Sequence, residues 1–227
     1  MLAAPPLACL ELLRELAGPL RGGLRPGAVV TDVASTKATI TAAAGDLRVP
    51  FVGGHPMAGR ETTGFAAADA ALFRGRPWVV VPPVGGAGAD GTAAVDRLVR
   101  ACLARPVPMD PREHDRLVAA ISHLPLVLSA ALVEAVAGAP GDDRPDWPAA
   151  AALAAGGWWG MVRLARGDVE MGTGIAATNA APLAARIRDV RAVLDGWLAA
   201  LEAPHGPDAE AIRERLEGAR DRLAEED

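Results

Sequence analysis

The sequence predicts an α/β layer, a parallel sheet covered by helices, followed by an all-α segment, and three observations carry that prediction. Over residues 1–110 short apolar runs alternate with stretches of helical period, the order that builds parallel sheets. From Pro111 onward, over 111–227, strand signals stop and apolar residues recur only at helical spacing. Hydrophobic residues make up 51% of the 227, enough to bury a sizeable core in one large domain or two small ones.

In chain order, Leu7, Leu10, Leu13, Leu16 and Leu20 mark a helix that Gly22-Gly23 and Pro26-Gly27 end. Val29–Val33 reads as a short buried strand, 36–44 as a helix, 48–52 and 78–83 as strands, 92–103 as a helix and 105–110 as a last strand. The Gly-rich stretch 83–91 is a loop before a helix, and the Gly/Pro/Asp cluster 137–148 a loop between helices. Beyond Pro111, one helical face carries Leu117, Val118, Ile121, Leu124 and Leu128. A second carries Leu183, Ile187, Val190, Leu194, Trp197 and Leu201, and Ile212, Leu216 and Leu223 mark a charged terminal helix.

A net charge of −5 with no basic stripe argues against a nucleic-acid partner. The apolar stretches read as cut by Gly, Pro or charge short of the ~20 residues of a membrane span, and the start lacks a basic secretion signal, so the expectation is a cytoplasmic protein with no membrane partner. Cys9 and Cys102 fall on apolar helix faces as buried thiols, implying no disulfide and no metal site. Among 23 Lys and Arg residues Lys37 is the single lysine, which suggests a place that needs a compact ammonium.

Four stretches carry candidate chemistry. In "RVPFVGGHPMAG" (48–59) an apolar run breaks into Gly53-Gly54 and presents His55 at a strand's carboxyl end, where α/β sheets bind ligands. The two glycines would allow a ligand or cofactor close to the backbone, and Pro56 restrains the loop. "TDVASTK" (31–37) places Asp32, Ser35 and Lys37 at a neighbouring strand end, where Asp32 and Ser35 could equally cap the following helix. In "AAISHLPLVLSAAL" (119–132) Pro125 predicts a kink beside Ser122 and His123. In "AAGGWWGMVRLARGD" (154–168) Gly156, Gly157 and Gly160 suggest a tight approach to something, followed by Arg163 as a fork for a carboxylate. His114 and His205, flanked by charge or loop residues, read as solvent-exposed.

Together, "DVASTK", "FVGGHPMAGRETTG", "LFRGRPWVVVPP", "HDRLVAAISHLPLVLSAALV", "RLARGD" and "NAAPLAARIRDVRAVLDGW" resemble the prephenate dehydrogenase family of tyrosine biosynthesis, with its arogenate-using relatives. The resemblance implies a Rossmann-type nucleotide-binding domain over 1–110 and a helical substrate and dimerisation domain over 111–227. It implies oxidative decarboxylation of prephenate, or of arogenate, with hydride passing to NAD or NADP, in a homodimer. By motif, His55 is the acceptor for the substrate's ring hydroxyl and Ser35 its hydrogen-bond partner near the cofactor. His123, Arg163 and Lys37 would meet the substrate's carboxylates, while Asp32, Ser35, Gly53 and Gly54 would border the cofactor. The family's Phe-Arg-Asp and threonine residues before the binding arginine are replaced here by Trp158, Trp159, Gly160, Met161 and Val162, and a later tryptophan by Gly172.

The start "MLAAPPLACLELL" leaves no room for the family's first strand, Gly-x-Gly-x-x-Gly turn and helix, as if about 70 residues were absent from an ordinary Rossmann half. The resulting expectation is weak cofactor binding by residues 1–227. A catalytically silent remnant that only dimerises or binds stays open as the alternative.

Overall fold

The structure is a computed structural model that describes residues 1–59, 64–138, 141–142 and 144–224. These form two compact units, residues 1–183 and 184–227. Residues 60–63 of the His55 motif, and 139, 140 and 143 of the loop 137–148, lie outside the described residues.

Helix α1 (Pro6–Ala17) starts on Pro5-Pro6, where missing N–H groups cost nothing. It ends at Gly18, whose N–H returns to the carbonyls of Arg14 and Glu15. Leu20 falls outside it and is exposed. Helix α2 spans Ala38–Asp46 and α3 Gly88–Ala101. Strands β1 (Gly54–Pro56), β2 (Pro77–Val80) and β3 (Arg105–Pro108) form a sheet in that order.

The sheet is small and mixed. Strand β2 runs parallel to β3, as expected, but β1 joins β2 antiparallel, pairing His55 with Val79. The runs predicted as strands at 29–33 and 48–52 make only single bridges, Leu2 to Asp32, Val30 to Phe51 and Phe51 to Val84. These continue the layer through Val30, Phe51 and Val84. On one face Leu2, Cys9, Leu13, Val30, Ile40, Ala44 and Phe51 pack together; on the other, Val52, Trp78, Val80, Val95 and Val99 do. Cys9 is buried as expected, whereas Cys102 is only half-buried at the edge of the second cluster.

Helix α4 (Pro111–Val118) is capped by Asp110, whose carboxylate accepts from the N–H groups of Arg112 and Glu113. It runs through a π-helical turn, Ala119–His123, into α5 (Leu124–Ala137). The kink expected at Pro125 is thus a π-turn, which absorbs the missing backbone donor and aims the side chains beside it. Because the helix continues through that turn, the expectation about apolar stretches needs correction. Pro111–Ala137 holds an 18-residue window of mean hydropathy 1.9, long and apolar enough by composition to cross a membrane, with 22% of the window buried.

Helices α6 (Trp147–Leu153) and α7 (Gly156–Met161) lead to a 3-10 turn, Arg163–Arg166, that packs on α5 through the Ala165 N–H to Ser129 Oγ, 2.9 Å. Helix α8 (Val169–Thr178) is capped by Asp168. Helix α9 (Ala180–Leu201) follows, and α10 (Ala209–Ala224) completes the second unit, where Arg215 lies over the Trp197 ring. In that unit Val193, Leu194, Leu198, Leu201, Leu216 and Leu223 are exposed.

Candidate active site

Residues from three elements meet around Asp115. The turn before α2 brings the N–H groups of Lys37 and Ala38 to its carboxylate, 2.7 and 2.9 Å away, so the α2 N-terminus is capped from α4 rather than by Asp32 or Ser35. Asp115 Oδ1 lies 2.8 Å from His114 Nδ1, and His114 Nε2 lies 2.8 Å from His55 Nδ1. His114, expected at the surface, is 1% exposed and sits edge-on to His55. His205 is exposed, as expected. The flanking Glu113, Asp115 and Arg116 concealed His114, yet His114, Asp115 and Val118 are the buried face of α4 and share one helical stripe. A second chain runs from the backbone carbonyl of Asp115 to Asn179 Nδ2, 2.8 Å, and from Nδ2 to His123 Nδ1, 3.0 Å. Asn179 is a further residue that the motifs contained but did not single out.

Both imidazoles are held neutral. Burial, then the nearby His114, Lys37 and His123, push the pKa of His55 well below its ordinary value. Burial lowers His123 to about 4 against the opposing pull of Asp115. The Ser35 carbonyl lies near the His123 ring, but Nε2 itself has no hydrogen-bond partner of good geometry.

These shifts set a pH dependence. Each histidine has a lower pKa folded than the 6.5 of an unfolded chain, so below that value the unfolded state binds more protons and stability falls with pH. For His123 the loss accumulates between 6.5 and about 4 and reaches about 3 kcal/mol. The melting temperature should therefore be lower at pH 4.5 than at pH 7, and His123→Gln should narrow the gap; an equal gap in that variant would refute the assignment.

Lys37 and Asp32 take roles different from those expected. Lys37 is fully buried and its ammonium pairs with Asp32, itself fully buried. Asp32 also accepts from the N–H groups of Gly54, 2.9 Å, and Ala34, 3.2 Å. Burial lowers the Lys37 pKa while Asp32 holds it up. Gly53 and Gly54 serve packing rather than ligand approach: a Cβ on Gly53 would lie 2.8 Å from Val81, and one on Gly54 2.7 Å from Trp78 and 2.9 Å from the Asp32 carbonyl. The glycines, the buried aspartate and the lysine hold β1 and its histidine against the sheet. Ser35, in the turn before α2, and His55, at the centre of β1, remain half-buried.

Arg163 lies elsewhere on the first unit, in a cleft of about 550 Å³ that also takes Gly59 from the His55 loop, Ile121 and Ser122 from the π-turn, and Asp168 and Met171 from α8. Three of the four candidate stretches contribute to this wall. No described residue makes the tight approach expected at Gly156, Gly157 and Gly160, where added Cβ atoms would meet nothing within 4 Å. Trp158 packs on Trp147, and Trp159 lies under Arg166.

A helix-covered sheet whose strand β1 sets His55 against His114 of α4, continued by further helices, is the plan of a nucleotide-binding domain joined to a helical one. Residues 1–107 match the prephenate dehydrogenase nucleotide-binding domain, and residues 110–216 the prephenate dehydrogenase dimerization domain. The chain is 32% identical to prephenate dehydrogenase of Lactococcus lactis over 199 residues, covering 86% of this chain and 52% of that protein. It is 33% identical to that of Bacillus subtilis over 176, covering 75% and 45%. It thus spans about half the length of these curated relatives. Synechocystis arogenate dehydrogenase superposes with a TM-score of 0.72 at 32% identity, covering 97% of this chain and 77% of that one. Prephenate dehydrogenase of Aquifex aeolicus, solved with hydroxyphenyl propionate and NAD+, shares the fold with a TM-score of 0.78 at 24% identity, covering 100% and 76%. The chain belongs to the prephenate dehydrogenase family.

Among the described residues, the helix N-termini beside the sheet do not fit a cofactor's diphosphate. A diphosphate seeks free N–H groups at a helix N-terminus, and all three helices that flank the sheet withhold theirs. The start of α1 has Pro5 and Pro6, with Gly174 of α8 against Pro6. Asp115 occupies that of α2. Gly86-Ala87-Gly88-Ala89-Asp90-Gly91 at α3 has Gly-x-Gly-x-x-Gly spacing, but Asp90 puts a negative charge in its first turn and Val29 fills the space beside Gly91. Residues 1–227 should therefore bind NAD or NADP more weakly than micromolar; micromolar binding by calorimetry would show that a cradle exists among them.

Proposed function

We propose that the chain carries the substrate-converting half of a prephenate dehydrogenase, with 1–110 as its nucleotide-binding part and 111–227 as its helical substrate and dimerisation part. The reaction is oxidative decarboxylation of prephenate to 4-hydroxyphenylpyruvate, for which a bound NAD or NADP would supply the hydride acceptor. The observation that carries this reading is His55, neutral and hydrogen-bonded through Nδ1 to His114, which leaves Nε2 to accept the proton of the substrate's ring hydroxyl. Ser35, half-buried in the turn before α2, is the hydrogen-bond partner of His55 in this reading. Loss of the hydroxyl proton, with departure of the hydride on the same ring carbon to that hydride acceptor, would turn the carbon into a carbonyl, and the ring carboxylate then leaves as CO2, its bonding electron pair staying behind to make the ring aromatic.

Arg163 in its cleft is the group that anchors a substrate carboxylate, with the His123 imidazole as a neutral donor to a second oxygen. Arg163→Ala should raise KM for prephenate about 10- to 100-fold at little cost in kcat, because a charge-assisted hydrogen bond contributes roughly 1.5–3 kcal/mol. An unchanged KM would remove Arg163 from the reading. The likeness to an arogenate dehydrogenase supports a second substrate, arogenate, and the ratio of kcat/KM for the two decides between them. In this reading the protein works in the cytoplasm as a homodimer, and a second copy rather than lipid covers the apolar face of α5 and the exposed leucines of the second unit.

A further inference from the structure

Asp115 is a buried carboxylate, and a carboxylate only accepts hydrogen bonds. His114 Nδ1, 2.8 Å from Oδ1, therefore carries a proton. With that single ring proton on Nδ1, His114 presents a lone pair at Nε2, 2.8 Å from His55 Nδ1, and His55 donates to it from Nδ1. Its own lone pair is left at Nε2. The second chain ends the opposite way. The backbone carbonyl of Asp115 can only accept, which fixes the amide nitrogen of Asn179 toward it. That nitrogen also lies 3.0 Å from His123 Nδ1, which accepts, so the His123 proton is on Nε2, buried near the Ser35 carbonyl but with no hydrogen-bond partner of good geometry among the described residues.

We propose that His114, Asp115 and Asn179 are positioning residues that set His55 and His123 in opposite tautomers, so that the site offers its substrate one bare acceptor nitrogen and one N–H donor. The inference deepens the function proposed above and rests on it for its catalytic meaning. The acceptor takes the hydroxyl proton, and the donor meets a carboxylate or carbonyl oxygen. As His55 Nε2 gains a proton, the proton on Nδ1 can pass to His114 Nε2, bringing the positive charge beside Asp115, with no bond to carbon involved. Among the described residues, the charged and titratable groups around His55 are His114 and Asp115 of α4, Lys37 before α2 and His123 of the π-turn. Among these described groups Asp115 is the anion without a side-chain cation already paired to it, so it is where such a charge settles.

The test reads tautomers directly. With four histidines in the chain, 15N-histidine labelling and single substitutions assign every ring. At pH 7 His55 and His114 should be protonated at Nδ1 and His123 at Nε2. In His114→Phe, His55 should move toward the Nε2–H form that a histidine favours in water, and in Asn179→Ala the preference of His123 should weaken. His55 found protonated at Nε2 in the unsubstituted protein, or unmoved in His114→Phe, overturns the inference. Should either variant fail to fold, the spectrum of the unsubstituted protein still decides. In turnover, His114→Phe should lower kcat at least tenfold with KM held, and His114→Gln, which can both accept from His55 and donate to Asp115, should restore most of it. The tautomer readout needs neither substrate nor cofactor, so it can succeed or fail apart from the proposed reaction, which His55→Asn tests separately.

Discussion

His55→Asn should lower kcat for prephenate by roughly 10² to 10⁴ at saturating cofactor while KM stays within a few-fold, the loss expected when a general base is removed. Asparagine can still make a hydrogen bond near Nδ1 but offers no titrating nitrogen at Nε2. The structure also locates the acidic limb of the rate profile. Burial and the surrounding His114, Lys37 and His123 hold the His55 pKa well below 6.5, so the base is neutral throughout the physiological range and activity should decline only at more acidic pH. In the variant that limb should vanish along with the rate. A variant with near-normal kcat and an unchanged limb would move the base to another residue, with His123 next to test.

What the sequence made legible depended on how local the cause is. The helices were readable because their apolar faces repeat every three to four residues, and His55 because glycine, glycine and proline surround it in four consecutive positions. Single bridges at Val30 and Phe51 replaced the expected strands because burial, which the apolar runs do report, is satisfied there without continuous pairing. The antiparallel entry of β1 depends on where the chain turns between Pro56 and Pro77, which periodicity does not encode. The relay was hidden for a related reason. Its members come from Gly54–Pro56, the turn before α2, α4 and the start of α9, and His114 looks solvated until its neighbours in space are known. Lys37 stood out as the single lysine, and it does occupy a place for a compact ammonium. The sequence offered no way to tell that its counter-ion is Asp32, five residues back, rather than a ligand.

That pair gives the largest expected effect on stability. Asp32→Ala should destabilise the protein by about 3–5 kcal/mol, because it strands the fully buried Lys37 ammonium and leaves the N–H groups of Gly54 and Ala34 without their acceptor. For a chain of this size the shift in melting temperature is about 6–20 °C. Lys37→Met should cost less, since Asp32 keeps two backbone donors and the methionine fills the same volume, so the two substitutions are not equivalent although they break one ion pair. Urea unfolding of both variants reads the difference, and an Asp32→Ala protein within 1 kcal/mol of the parent would refute the assignment. The same comparison reaches the site. Lys37 is one of the positive groups that depress the His55 pKa, so Lys37→Met should raise it and move the acidic limb toward neutral pH, whereas Asp32→Ala releases the Gly54 N–H that braces β1 beside His55. A lysine that never touches substrate would then be seen in the rate profile through the protonation of the histidine it faces.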